Sequence, residues 1–273
     1  MPVAEVPGVH LYYERAGSGP RLLLANGTGT DLRRQPNPLA WPFAADFDLL
    51  AYDHRGLGRS EAADPERQPT MADFANDALA LCDEVGWPTF SVLGISFGGM
   101  VAQEIAIRAG TRVERLVLAC TSSGGAGGAS HPLQETFALS AEERAERMPA
   151  LIDTRAENDP ELRARLRAWM QAGAAGQAAD ADAGPTPGLL RQLEARRHHD
   201  TYSRLPEIAA PTLVAAGRYD GVAPLANSEA IAARIPDADL EVFEGGHIFF
   251  FDDPKAWPAI SQFLLAGDGE GGT

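Results

Sequence analysis

One serine in this sequence lies where its hydroxyl could act as a nucleophile. Ser96 is in the run GISFGG, so that Gly94, Gly98 and Gly99 surround it between an apolar stretch and a helical pattern. Glycine destabilises strands and helices by about 0.5–1 kcal/mol relative to alanine, so such a cluster indicates a steric requirement. A tight strand-to-helix turn that exposes the Ser96 hydroxyl would meet that requirement.

Two further residues could activate this hydroxyl. A serine hydroxyl is a poor nucleophile at neutral pH and needs a general base, and a histidine base needs an acid that holds its tautomer. Asp220 follows the apolar run PTLVAAG, and His247 follows the next run, LEVFEG. Residues after the C-terminal ends of parallel strands converge at one edge of a sheet. Ser96, Asp220 and His247 also follow the chain order that accompanies a G-x-S-x-G turn.

The elements that would position these residues alternate between strands and helices. Short apolar runs bounded by turn residues predict buried strands at 21–26, 47–53, 90–95, 115–120, 211–217 and 240–245. Thr70 and Asp73 predict the start of a helix with Phe74 and Leu81 on its apolar face. This alternation predicts the α/β class, with a mostly parallel central sheet covered by helices on both faces. The segment VHLYYERAG could add an antiparallel edge.

The alternation breaks in the middle of the chain. Residues 123–205 contain helix-start signals, such as Ser140 with Glu143, but no strand-like run, so they predict a helical insertion. The core would then comprise residues 1–122 and 206–273. Within the insertion, the composition of residues 172–188 predicts a mobile linker, and the tail GDGEGGT is predicted to be disordered.

Composition excludes several classes of function. A formal net charge of −15 without clustered basic residues argues against a nucleic-acid partner. No apolar run approaches the length of a membrane span, so we expect a cytoplasmic protein without a membrane partner. The run HHD at 198–200 has no further ligands at metal spacing, and Lys255 is the only lysine available for Schiff-base chemistry. The sequence predicts neither a metal nor an organic cofactor and makes no prediction of oligomeric state.

Taken together, the motifs resemble those of α/β-hydrolase-fold serine hydrolases of the small lid-bearing esterase or lactonase type, over nearly the whole chain. Similar segments are DHRGLGRS (53–60), RLPEIAAPTLVAAGRYDGVAP (204–224) and GGH (245–247). The resemblance implies Ser96 as nucleophile, His247 as base and then acid, and Asp220 as the carboxylate that orients His247. It also implies that residues 123–205 form a helical lid that shapes the substrate pocket.

An acyl-transfer reaction would also need two backbone N–H donors for the oxyanion. They are expected at Phe97, after the nucleophile, and at Thr28, in the loop ANGTGTD after an early strand. Many family members have His-Gly where this chain has Asn26-Gly27. Because the donor is a backbone group, Asn26 is compatible with catalysis, although it alters the support of the loop.

Other side chains carry weaker functional signals. Trp169, Met170 and His198 are candidates for the substrate pocket, because they lie in the helical insertion. The three phenylalanines at 249–251 are predicted to belong to the core. Asp53 is expected to stabilise the turn near the site and not to take part in the chemistry.

The sequence therefore predicts a serine hydrolase that cleaves a small to medium carboxylic ester or lactone through an acyl-enzyme on Ser96. The motifs leave open thioesterase, carbon–carbon hydrolase and cofactor-free perhydrolase chemistry. A ligand-binding member of the fold without turnover is a further alternative, since fold does not imply function. The complete set of Ser96, Asp220 and His247 argues against that alternative.

Overall fold

A single sheet organises the chain in a computed structural model, which describes residues 2–35, 37–174 and 185–266. Its strands within these ranges are β1 (Val3–Val6), β2 (Val9–Ala16), β3 (Arg21–Ala25), β4 (Asp48–Tyr52), β5 (Glu61–Ala62), β6 (Phe90–Ile95), β7 (Val113–Ala119), β8 (Thr212–Gly217) and β9 (Ala238–Phe243). They are arranged in the order β1-β2-β4-β3-β6-β7-β8-β9, and β5 pairs with β2. Every pair from β4 to β9 is parallel, whereas β2 pairs antiparallel with β1, β4 and β5. The predicted parallel sheet with an antiparallel edge is confirmed.

Helices connect these strands and fill the insertion. Those in the described ranges are α1 (Met71–Glu84), α2 (Phe97–Ala109), α3 (Leu133–Phe137), α4 (Ala141–Ile152), α5 (Pro160–Ala174), α6 (Pro187–Arg197), α7 (Leu225–Ala232), α8 (Phe249–Asp252) and α9 (Ala256–Leu265). Capping boxes at Thr70 and Ser140 begin α1 and α4, as their sequences predict. The predicted linker at 172–188 overlaps helices at both ends, because α5 extends to Ala174 and α6 begins at Pro187. Residues 175–184 and the tail at 267–273 lie outside the described residues.

The sheet is buried on both faces. Val92, Leu116 and Val214 belong to one apolar cluster, in which α1, α2 and α7 cover the sheet. Their neighbours along the strands, Leu93, Val117 and Leu213, belong to a second cluster. Side chains of α8, α9 and the short helix Pro42–Asp46 complete this cluster. Side chains of a strand alternate between faces, so each central strand supplies both clusters. This explains why these strands are continuous apolar runs in the sequence.

The glycines around Ser96 allow α2 to approach the sheet. A Cβ added to Gly98 would lie 1.9 Å from the carbonyl oxygen of Ala25, and one added to Gly94 would lie 2.5 Å from the carbonyl oxygen of Gly98. Ser96 itself has φ 57° and ψ −114°, a conformation that costs a non-glycine residue about 1–3 kcal/mol. The predicted strained turn between β6 and α2 is therefore present.

A buried histidine supports the loop that follows β3. The His54 ring packs edgewise against Tyr52, Phe74 and Phe97, with ring centroids 5.0–5.7 Å apart. Its Nε2 lies 3.1 Å from the carbonyl oxygen of Asn26, so Nε2 carries the proton and donates. Burial lowers the pKa of His54 to about 4. The ring is therefore neutral at neutral pH and acts as a fixed donor to this loop.

Substituting His54 should change how the stability of the protein depends on pH. Unfolded His54 binds a proton near its ordinary pKa of 6.5, whereas in the folded protein its pKa is about 4. The unfolded state therefore binds more protons between these values, and the free energy of unfolding falls as the pH decreases. At about pH 5, His54 alone accounts for a loss of about 2 kcal/mol. Urea unfolding of wild type and His54→Gln at about pH 7.5 and pH 5 measures the difference.

We expect a smaller loss in His54→Gln, because glutamine can still donate to Asn26 but does not titrate. Part of the loss should remain, since burial also lowers the pKa of His199 to about 4. His198→Gln is the control, because it makes the same substitution at an exposed histidine. Equal losses in wild type and His54→Gln would contradict this account.

Candidate active site

The structure brings the three predicted residues together in one hydrogen-bonded array. Ser96 Oγ lies 2.9 Å from His247 Nε2, and His247 Nδ1 lies 2.8 Å from Asp220 Oδ2. Ser96 follows β6, Asp220 follows β8 and His247 follows β9, so all three lie at the C-terminal edge of the parallel strands. With Asp220 accepting from Nδ1, Nε2 is free to accept the proton of the Ser96 hydroxyl.

The carboxylate of Asp220 is buried and fixed in orientation. Its Oδ1 accepts backbone N–H bonds from Val222 at 2.7 Å and Ala223 at 2.8 Å, which leaves Oδ2 for His247. The carbonyl of Val222 in turn accepts a bond of 2.7 Å from the N–H of His131. The guanidinium of Arg196 donates to the carbonyl of His131 at 2.9 Å. Two residues of the insertion thus support the loop that carries Asp220.

The predicted oxyanion donors lie on two segments next to the serine. Phe97 is the first residue of α2, so its N–H has no acceptor within the helix. The loop with Thr28 also reaches Ser96, since a Cβ added to Gly27 would lie 3.6 Å from Ser96 Cβ. The N–H of Gly29 donates to Gln192 Oε1 at 2.7 Å, which ties the loop to α6. Both segments are therefore held in place beside Ser96.

Asp53 stabilises the turn near this loop, as its sequence position predicts. It is fully buried, and its carboxylate accepts the backbone N–H of Leu32 at 2.7 Å and that of Arg59 at 2.8 Å. Desolvation raises the pKa of Asp53, against the two backbone bonds that lower it. All of these contacts are to backbone groups of neighbouring loops, so Asp53 joins two loops and lies apart from the array of Ser96.

A cavity of about 400 Å³ opens onto Ser96 and His247. The insertion contributes apolar side chains to its lining, including Phe137, Met148, Trp169 and Met170. Two of the three predicted pocket residues, Trp169 and Met170, are thus found there. The prediction for His198 is wrong: it caps the end of α6 and its exposed ring bonds Glu194 one turn earlier, at 2.8 Å.

Sequence reasoning missed other residues of the cavity. Phe249 is fully buried in the core, and Phe250 belongs to the same core cluster but also lines the cavity. Phe251 is exposed and lines the cavity, so the assignment to the core is wrong for Phe251 alone. Consecutive residues of a helix point in different directions, and α8 therefore divides them between core and cavity. Arg34 was also missed, although its place a few residues after the Thr28 loop is a usable signal.

The described parts of the chain provide neither a cluster of metal ligands nor a long apolar helix. No group of three or more His, Cys, Asp or Glu side chains among these residues could hold a metal ion. None of the helices in the same ranges has both the length and the apolar composition needed to cross a membrane.

Known proteins resemble this chain over most of its length. It is 30% identical over 257 residues to the poly(3-hydroxyalkanoate) depolymerase of Ectopseudomonas oleovorans, covering 89% of this chain and 83% of that protein. It is 27% identical over 244 residues to 3-oxoadipate enol-lactonase 2 of Acinetobacter baylyi, covering 87% and 85%. The enol-lactonase structure from Burkholderia xenovorans LB400 superposes with a TM-score of 0.76 at 25% identity, over 97% of this chain and all of that one.

These relatives are hydrolases by name, which supports a hydrolase activity for this chain. A family model described as alpha/beta hydrolase fold matches residues 20–254, which is most of the sequence. The sheet order and the position of Ser96 between β6 and α2 agree with that match. The chain therefore belongs to the alpha/beta hydrolase family.

Proposed function

We propose that this protein is a serine hydrolase that cleaves a carboxylic ester or lactone through an acyl-enzyme on Ser96. The observation that carries the proposal is the hydrogen-bonded array of Ser96, His247 and Asp220, of which Ser96 and His247 line a largely apolar cavity. The strained backbone of Ser96 supports it, since such strain clusters at functional sites. An enol-lactonase and a polyester depolymerase among the relatives agree with this bond type.

The proposed reaction proceeds in two halves. His247 Nε2 accepts the proton of Ser96 as Oγ attacks the carbonyl carbon, and Asp220 stabilises the imidazolium that forms. The N–H groups of Thr28 and Phe97 stabilise the oxyanion of the tetrahedral intermediate. The intermediate collapses as the alkoxide leaves and takes the proton from His247. His247 then deprotonates a water molecule, which attacks the acyl carbonyl carbon. The second tetrahedral intermediate collapses as the C–Oγ bond breaks, the carboxylic acid leaves, and Ser96 Oγ takes the proton back from His247.

We assign residues 123–205 to a cap over the remaining core at 1–122 and 206–273. The described helices of this segment support the assignment, because α3, α4, α5 and α6 each contribute a side chain to the cavity lining. Residues of the core supply the opposite wall, including Trp41 and Phe250. The substrate would thus bind between cap and core.

The cap also holds the loops that carry the acid and the base. The carbonyl of Ile152, the last residue of α4, accepts the N–H of His247 at 2.6 Å. The preceding carbonyl, of Leu151, accepts the N–H of Gly221 at 3.0 Å. A Cβ added to Gly246 would lie 2.0 Å from the carbonyl oxygen of Ile152, so this contact requires glycine. The end of α4 therefore positions His247 and Asp220 relative to each other.

Replacing Ser96 with alanine should abolish ester hydrolysis. We expect kcat for p-nitrophenyl butyrate and octanoate to fall by about 10³- to 10⁶-fold, because the nucleophile is removed. A fluorophosphonate probe should label Ser96 in the wild type, and peptide mass spectrometry locates the label. Ser18→Ala, the same change at an exposed serine, is the control and should keep wild-type kcat. Activity that survives Ser96→Ala, or a label on another residue, would contradict the proposal.

Gly246→Ala tests the positioning of His247 by the cap. The added Cβ would push the histidine loop away from Ile152, and a displacement of about 1 Å can reduce catalysis by about 10²-fold. The loss should appear in kcat more than in KM, because the cavity walls remain. Gly8→Ala is the control: Gly8 has φ +80° and no atom within 4 Å of an added Cβ, so it strains a distant turn only. Unchanged kcat in folded Gly246→Ala would refute this role.

A further inference from the structure

The charged side chains in the lining of the cavity are mainly cationic. In the described parts of the chain, and leaving His247 aside, they are Asp31, Arg34 and Arg144. The carboxylate of Asp31 bonds the guanidinium of Arg33 through both oxygens, at 2.9 Å and 2.8 Å. The negative charge in the lining is thus compensated by Arg33, which lies outside it. Two arginines remain in the lining, Arg34 and Arg144.

Arg34 presents its guanidinium beside the tryptophan of the cap. The guanidinium carbon lies 4.9 Å from the centroid of the Trp169 ring. Among the described residues, no carboxylate lies within 4.0 Å of the guanidinium nitrogens of Arg34. Burial lowers the pKa of Arg34, and Asp31 partly opposes this effect. An arginine remains charged at neutral pH even so, and the cavity therefore contains a partly desolvated positive charge.

Arg144 provides the second cation from a different element. It lies on α4, and its guanidinium carbon is 5.6 Å from the centroid of the Phe137 ring. As with Arg34, no carboxylate within the described ranges lies within 4.0 Å of it. The loop after β3 and the cap thus each supply one guanidinium to the same cavity.

Stacking on aromatic rings does not explain both arginines. A cation–π contact stabilises a guanidinium but leaves its charge uncompensated. It also leaves unused the N–H donors, which lie in the plane of the guanidinium. A carboxylate is the group whose geometry matches a guanidinium, through two parallel N–H···O bonds.

We propose that the substrate is an ester or lactone with a carboxylate remote from the scissile bond, and that Arg34 and Arg144 bind this carboxylate. The apolar part of the substrate would then lie along Trp41, Phe250 and Met148, between the guanidinium groups and Ser96. This inference rests on the proposed hydrolase function and narrows its substrate class.

The test compares two esters that differ at the far end, where one has a carboxylate and the other its neutral methyl ester. Mono-p-nitrophenyl suberate has a free carboxylate at its far end, and methyl p-nitrophenyl suberate has a methyl ester there. We expect wild type to hydrolyse the acid with a kcat/KM about 10- to 100-fold higher, as a charge-assisted contact allows. Arg34→Gln and Arg144→Gln should each reduce this ratio, mainly through KM for the acid. High salt should also reduce it, because ions screen the attraction.

Arg165→Gln is the matched control, because it removes the same charge from α5 at an exposed side chain that bonds Asp252. It should keep the wild-type ratio. A wild-type ratio of one or less, or a ratio that Arg34→Gln and Arg144→Gln together leave unchanged, would overturn the proposal.

A binding measurement separates this inference from the proposed function. Calorimetry on Ser96→Ala with monomethyl suberate and dimethyl suberate reports the carboxylate preference without turnover. Tighter binding of the monoacid supports the inference, and equal or weaker binding overturns it. Failure of wild type to hydrolyse either p-nitrophenyl ester would contradict the hydrolase function, whichever suberate binds better.

Discussion

The close approach of α2 to the strands beneath it is the constraint on which the rest of the site depends. No side chain larger than a hydrogen atom fits at Gly98, because a Cβ there would overlap the carbonyl group of Ala25. This approach holds the turn at Ser96 in its strained conformation, with its hydroxyl directed to His247. The strain is local, but the packing that maintains it extends across β3, β6 and α2. A large buried core can stabilise such a turn, since the cost of about 1–3 kcal/mol is small beside it.

The loop after β3 and the cap provide further support for the site. His54 fixes the carbonyl of Asn26, and Gln192 of α6 binds the N–H of Gly29. The same cap reaches the other two loops, through Ile152 at His247 and His131 at Val222. The proposed cap is therefore part of the support of the site as well as a wall of the cavity. Substitutions in the cap can therefore alter the position of His247 and Asp220 and not only the choice of substrate.

The charges of the molecule are distributed unevenly between surface and cavity. The chain as a whole is acidic, with a formal charge of −15, but Arg34 and Arg144 line the cavity. Burial strengthens electrostatic interactions because the local dielectric is low. Two cations in a mostly apolar cavity therefore act on a bound anion more strongly than they would at the surface. An acidic surface would slow the approach of an anion. The proposed preference for a carboxylate would therefore act after the substrate has entered the cavity.

The sequence alone determined the alternation of strands and helices along the chain, the strained serine turn and the positions of Asp220 and His247. These features follow from local patterns: glycine spacing marks close approach, and residues after parallel strands meet at one edge. Only the tertiary structure decided which side chains line the cavity. Met170 and Trp169 line the cavity while His198 turns to solvent, and α8 places Phe249 in the core but Phe251 at the cavity. These orientations depend on how the cap packs on the core, which involves contacts between distant segments that no local periodicity contains.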